Sequence, residues 1–122
     1  MATAKKTLVM GASSNPERYA YKAIKMLQRF GHPVLAVGKK EDEVDGLKIE
    51  KQQLPFENVD TVTLYLNPMN QKQHYDYIIG LRPKRVVFNP GTENPELFTL
   101  LKQNGIEVEV ACTLVLLSTN QY

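Results

Sequence analysis

The residues best suited to chemistry are small turn residues. Gly-Ala-Ser-Ser-Asn-Pro at positions 11–16 follows the apolar run 7–10 and precedes an amphipathic segment. Glycine permits a tight turn, the hydroxyls of Ser13 and Ser14 donate hydrogen bonds, and a helix beginning there presents free N–H groups and a positive dipole end. This pattern is typical of a site for an anion such as a diphosphate. The alternative is a plain helix cap, with Ser14 or Asn15 at the N-cap.

Two lysines form the second chemical feature. The apolar run 33–37 ends at Gly38, which leads into Lys39 and Lys40. An NAD-binding domain instead places an acid there for the ribose hydroxyls, and its first turn reads G-x-G-x-x-G, whereas this turn lacks the second and third glycines. Cations favour a phosphate, such as the one on the adenosine ribose of coenzyme A or NADP. The alternative is a pair of solvated loop lysines.

Side chains typical of catalysis or metal binding lack partners at useful spacing. His32 and His74 stand alone, and Cys112 has no C-x-x-C partner. We interpret the histidines as surface or packing residues and the thiol as buried and inert. The acids in segment 42–45 predict a hydrated loop rather than a metal site. We therefore expect no catalytic residue and no metal.

Composition limits the class of protein. The 122 residues are 43% hydrophobic and 23% charged, with a net charge of +2, which predicts one globular domain over residues 1–122. The basic residues are too scattered to neutralise a row of duplex phosphates, so we expect no nucleic-acid binding. No apolar stretch approaches the ~20 residues of a membrane span, and the run 7–10 is too short for a secretory signal. Because Cys112 has no partner for an internal disulfide, we expect a cytoplasmic protein.

Apolar runs alternate with amphipathic segments along the chain. Strands are predicted at 6–10, 33–37, 61–66, 85–88 and 106–111, with a short edge strand at 47–49. Helices are predicted from about residue 15 to Phe30, from 69 to 81, and from 94 to 104. This alternation predicts a doubly wound, Rossmann-like α/β domain, with a mainly parallel sheet of about five or six strands and helices on both faces.

The turns that follow these strands converge. In an open parallel sheet, ligands bind outside the carboxyl ends of the strands, where the strand order reverses. Four turns belong there, at 11–16, 37–40, 66–69 and 89–92. Each is rich in Gly, Pro, Ser or Asn, as binding turns and ordinary turns both are. We expect them to surround one ligand.

Three features together resemble a known family: the segment Gly11–Arg18, the amphipathic helix ending at Gly31, and the turn Asn89-Pro90-Gly91. The family is that of small CoA-binding proteins, whose fold matches the nucleotide-binding domain of the succinyl-CoA synthetase alpha subunit. The resemblance covers nearly the whole chain. It implies that the first turn holds the diphosphate and that the segment after the second strand meets the adenosine phosphate. The turns at 67–68 and 90–91 would line the rest of the ligand.

The residues and the resemblance together predict binding of coenzyme A or an acyl-CoA, without catalytic machinery of the chain's own. The alternatives are an NADP-dependent or acyl-CoA enzyme completed by a partner subunit, and a nucleotide-sensing regulatory protein. A protein partner or a weak homodimer stays open as well. The predicted cofactor-binding residues are Gly11, Ala12, Ser13, Ser14, Arg18, Gly38, Lys39, Lys40, Asn67, Pro68, Pro90 and Gly91.

Overall fold

A seven-stranded sheet forms the centre of the computed structural model, which describes residues 3–122. Its strands are β1 (Thr7–Ala12), β2 (Val34–Gly38), β3 (Asp42–Val44), β4 (Leu47–Glu50), β5 (Thr61–Leu64), β6 (Arg85–Phe88) and β7 (Glu107–Val110). The spatial order is β3-β4-β2-β1-β5-β6-β7, and all neighbours are parallel except β3 and β4. The predicted α/β class with a mainly parallel sheet is confirmed, with seven strands instead of five or six.

Residues 3–122 contain five α-helices, of which the first four lie between strands and the last follows β7: α1 (Tyr19–Arg29), α2 (Pro68–Gln71), α3 (Tyr75–Leu81), α4 (Pro95–Gln103) and α5 (Thr113–Ser118). A short 3-10 helix, Lys72–His74, joins α2 to α3. Alternate residues of a strand point to opposite faces of the sheet. Leu8 and Met10 therefore pack in one hydrophobic cluster with α3 and α4, whereas Val9 packs in a second cluster with α1 and α5. None of the helices within residues 3–122 has the length and apolar character to cross a membrane.

The strand order reverses beside β1. The chain crosses from β1 to β2 on one side, and β5 later pairs with β1 on the other. Connections that diverge in this way leave a crevice at the carboxyl ends of the central strands. Gly11, near the end of β1, and the two serines that follow the strand line that crevice.

The first turn is longer than predicted, because α1 begins at Tyr19 and not beside Asn15. The Asn15 side chain accepts the backbone N–H two residues later at 3.0 Å, and Ser13 Oγ accepts the Asn15 N–H at 3.0 Å. Such local bonds stabilise a turn at the expense of helix. The prediction of Ser14 or Asn15 as the N-cap is therefore wrong. The N-cap is Arg18, whose side chain makes no capping hydrogen bond.

Three further elements differ from the prediction. Strand β3 forms a hairpin with β4 through Asp45 and Gly46, which have φ of 46° and 81°, in a segment predicted to be irregular. The helix predicted from 69 to 81 is divided by the 3-10 helix. Helix α5 is absent from the prediction, since its 6 residues are too few to show a helical period. Phe30, predicted as the last residue of the first helix, is its C-cap and is 44% exposed.

A buried histidine lies at the amino ends of β1 and β2. His32 is 9% exposed, its ring packs on that of Tyr122 at 4.9 Å between centroids, and its Nδ1 accepts the Lys5 N–H at 2.9 Å. Burial lowers the pKa of His32, and the charges of Lys5 and Arg85 lower it further against a smaller opposing effect of Asp60. The folded protein therefore favours the neutral imidazole.

We predict that the free energy of unfolding falls as the pH is lowered below the ordinary histidine pKa of 6.5. A histidine whose pKa is depressed by folding stabilises the native state above its unfolded pKa, and that stabilisation is lost as the ring takes up a proton. Urea unfolding at a series of pH values measures the slope. His32→Asn keeps an oxygen that can accept the Lys5 N–H but removes the titrating ring, so the slope should decrease. An unchanged slope would contradict this assignment.

Candidate functional site

The main cleft of the described chain has a volume of about 940 Å³ and lies at the carboxyl edge of the sheet. One wall is the first turn with the beginning of α1, and another is the segment after β2. A third is the chain from the end of β5 through the 3-10 helix. The crevice expected from the strand order is therefore open and large enough for a small-molecule ligand.

Nine of the twelve predicted cofactor-binding residues line this cleft, namely Gly11, Ala12, Ser13, Ser14, Arg18, Gly38, Lys39, Lys40 and Asn67. Pro68, Pro90 and Gly91 are not among its lining residues. The chain thus brings the first turn, the end of β2 and the beginning of α2 together. The turn after β6 does not line the cleft.

Asn89 explains the position of the turn after β6. It is buried, and its Nδ2 donates to Thr63 Oγ1 at 2.6 Å and to the Leu64 carbonyl at 2.8 Å. Its Oδ1 accepts the Thr113 N–H at 2.8 Å. A buried amide satisfied in this way is an integral part of the packing. The Asn-Pro-Gly turn therefore joins β5, β6 and α5, and its glycine and proline are turn residues outside the cleft.

Two glycines let the walls of the cleft meet. Gly11 has φ of 90°, and a Cβ there would lie 2.9 Å from the carbonyl carbon and oxygen of Tyr65. A Cβ at Gly38 would collide with the Ala12 carbonyl oxygen and lie 3.0 Å from Ile49 Cγ2. The sequence suggests glycine at position 11 as a means of close approach to a ligand. In the structure, close approach of neighbouring backbone already requires it.

Ser14 is held by an acid from the β3 hairpin. Its hydroxyl donates to Asp42 Oδ2 at 2.5 Å, and Asp42 Oδ1 accepts the Glu43 N–H at 2.8 Å. These hydrogen bonds, with a smaller contribution from the charge of Lys40, lower the pKa of Asp42. Asp42 therefore lies in the cleft as a carboxylate. The acids predicted to form a hydrated loop include one residue that orients the first turn.

Cations dominate the charge of the cleft. Arg18, Lys39, Lys40 and Lys51 line it and are exposed. None of these four takes part in a salt bridge within residues 3–122, where the salt bridges use other lysines and Arg85. Cations left without carboxylate partners in a concave surface attract anions more strongly than scattered surface charges do. The cleft is therefore suited to phosphate groups.

The wall formed by α2 and the 3-10 helix extends beyond the turn at 66–69 that the sequence predicts. It contributes Asn70, Gln73 and His74. Gln53 Nε2 lies 2.5 Å from His74 Nδ1 and 3.4 Å from the Gln73 carbonyl oxygen. An amide nitrogen only donates, so Nδ1 accepts and the ring proton resides on Nε2. Burial lowers the pKa of His74, in agreement with a neutral ring. Helical periodicity alone gives no sign that this histidine reaches a cleft.

Tyr65 and Cys112 have the chemistry of reactive groups but not the surroundings. The buried Tyr65 hydroxyl has no hydrogen-bond partner within residues 3–122, and burial raises the pKa of Tyr65 well above its ordinary value. The phenol therefore stays protonated at neutral pH. Cys112 is partly buried at the beginning of α5. Across residues 3–122, no group of three His, Cys, Asp or Glu side chains is arranged to hold a metal ion. The chemistry that the cleft supports directly is anion binding.

Comparison with known proteins defines the family. The model of the CoA binding domain matches residues 5–118, so the chain belongs to the CoA-binding domain family. A crystal structure of an uncharacterized protein shares 50% sequence identity over 99% of this chain and 100% of its own, with a TM-score of 0.97. Curated proteins give no significant match.

Two further solved structures share the fold at lower identity. A protein from Thermus thermophilus is 27% identical over 98% of this chain and 91% of its own, with a TM-score of 0.84. A hypothetical protein from Pyrococcus horikoshii OT3 is 29% identical over 92% of this chain and 80% of its own, with a TM-score of 0.82. The resemblance identified from the sequence is thereby confirmed at the level of the family.

We predict that Gly11→Ala and Gly38→Ala each lower the free energy of unfolding by roughly 1–3 kcal/mol, measured by urea denaturation without ligand. The added methyl group meets backbone atoms at both positions. At position 11 the alanine must also adopt the positive φ of Gly11, which residues with a side chain disfavour. Gly80→Ala is the matched control, because a Cβ there meets nothing within 4 Å. That variant should be neutral or more stable by up to about 1 kcal/mol. Parental stability of both cleft variants would show that the walls do not require glycine.

Proposed function

We propose that the chain binds coenzyme A or an acyl-CoA in this cleft, with the diphosphate at the first turn and the adenosine ribose phosphate at Lys39 and Lys40. The observation that carries the proposal is one cleft containing both an uncapped helix N-terminus and cations without salt-bridge partners. Membership in the CoA-binding domain family supports the same ligand. The protein is then a binding module, to which we assign no catalytic residue.

The first turn supplies hydrogen-bond donors to a diphosphate. Helix α1 has no side-chain cap, and its first residues, Tyr19 and Ala20, line the cleft. The first N–H groups of a helix have no partner within the helix, and the dipole makes that end positive. The Ser13 and Ser14 N–H groups also precede the helix without a backbone or side-chain acceptor in residues 3–122. Arg18 adds a cation beside them.

The end of β2 favours a ligand with a phosphate on its ribose. Lys39 and Lys40 stand where an acid would bind the free ribose hydroxyls of NAD. Coenzyme A carries a ribose phosphate, and so does NADP. Family membership favours coenzyme A, and NADP is the second candidate, for which the same two lysines would serve.

The proposal predicts that replacing both Lys39 and Lys40 by Ala weakens coenzyme A binding by roughly tenfold or more. Dephospho-CoA, which lacks the ribose phosphate, should bind the parent and the variant about equally. Isothermal titration calorimetry measures both affinities. Added salt should reduce the parent's preference for coenzyme A, because exposed charges are screened within about a Debye length.

A lysine far from the cleft provides the control for this experiment. Lys102 lies in the last turn of α4 and is exposed, so Lys102→Ala should bind both ligands as the parent does. An equal loss of affinity for coenzyme A and dephospho-CoA in the double variant would mean that the two lysines contact a part of the ligand other than the ribose phosphate. No loss for either ligand would make them solvated loop residues.

A further inference from the structure

The β3–β4 hairpin brings a distant lysine to the end of β2. Its register pairs Asp42 with Ile49 and Val44 with Leu47. Continued two residues past the end of this ladder, the register would bring Lys40 opposite Lys51. Residues opposite each other on antiparallel strands lie close together. The hairpin therefore returns the chain to the place where it left β2.

A second ladder gives the same position independently. Strand β4 runs parallel to β2, with Ala36 beside Ile49 and Val37 beside Glu50. The next step sets Lys51 beside Gly38, the residue before Lys39. Lys51 also lines the cleft. Two ladders and the lining thus place three lysines around the carboxyl end of β2.

The other lysine of the hairpin behaves differently. Lys48 is not among the lining residues of the cleft and forms a salt bridge with Glu50 at 3.6 Å. Lys51 forms no salt bridge within residues 3–122. The two lysines are therefore a matched pair, since both are exposed and lie in or directly after β4, and only Lys51 lines the cleft.

We propose that Lys51 is the third cation of the phosphate subsite formed with Lys39 and Lys40, and that the three together select a phosphomonoester on the 3′ oxygen of the ribose, as in coenzyme A. This inference rests on the proposed function and specifies the ligand further. Asp42 lies at the same edge and offsets one cation. Three lysines against one carboxylate leave two positive charges, which match a phosphomonoester of about −1.5 to −2 at neutral pH.

Without Lys51, the subsite would hold one net positive charge. A dianionic ribose phosphate would then gain less over the uncharged ribose hydroxyl of dephospho-CoA. Lys51 thus determines the discrimination between coenzyme A and dephospho-CoA more than it determines binding as such. Its contribution is that of a partly exposed ion pair, which corresponds to an affinity change of about three- to tenfold.

The test compares Lys51→Ala with Lys48→Ala in calorimetric titrations of coenzyme A, dephospho-CoA, adenosine 3′,5′-bisphosphate and AMP. Lys51→Ala should weaken coenzyme A and the bisphosphate by about three- to tenfold while leaving dephospho-CoA and AMP unchanged. Lys48→Ala should leave all four unchanged. Thermal unfolding of both variants checks that the hairpin is intact.

The outcomes separate this inference from the proposed function. If Lys51→Ala keeps the parent's preference for coenzyme A over dephospho-CoA, the third cation is overturned although coenzyme A binding stands. Equal losses in the two variants would also overturn it, because they would reflect the general charge of the hairpin. If the parent binds neither coenzyme A nor the bisphosphate, the proposed function itself fails.

Discussion

Close contact between the backbones at the carboxyl ends of β1, β2 and β5 is the constraint on which the cleft depends. Gly11 lies against the Tyr65 carbonyl group, and Gly38 lies against that of Ala12. A side chain at either position would separate the strands where the chain turns away from the sheet. The strand order reverses at β1, so the connections diverge there and the cleft opens between them. The two backbone contacts lie at this same point. Backbone packing between these strands thus determines where the cleft lies.

The charges of the cleft follow from this geometry. The turn after β1 exposes the unpaired N–H groups of α1, and the turn after β2 continues into Lys39 and Lys40. The hairpin then returns Lys51 to the same edge and places Asp42 against Ser14. Two parts of the cleft therefore suit anions for different reasons. The beginning of α1 offers N–H groups, and the hairpin together with the end of β2 offers lysine side chains. Under the proposed function, one ligand with phosphates at both places would engage both.

Much of the fold could be predicted from sequence, because its principal elements have strong local signals. The apolar runs of β1, β2, β5 and β6, and the spacing of Ala20, Ala23, Ile24 and Leu27 in α1, have the periods of buried strands and an amphipathic helix. The hairpin was missed although Asp45-Gly46 is a known turn signal. In the site, Lys51 and His74 were not predicted because tertiary contacts alone bring them to the cleft. Sequence also could not show that Pro90 and Gly91 lie outside the cleft lining, because a ligand turn and a packed turn use the same residue types.

The central claim is that the cleft binds a nucleotide with a ribose phosphate and a diphosphate, and that coenzyme A is that ligand. Calorimetric titration of the unmodified protein with coenzyme A, NADP and NAD in parallel tests it most directly. The account predicts saturable binding of one coenzyme A per chain, weaker binding of NADP, and the weakest binding for NAD. Tighter binding of NADP or NAD than of coenzyme A, or no binding of coenzyme A at all, would contradict it.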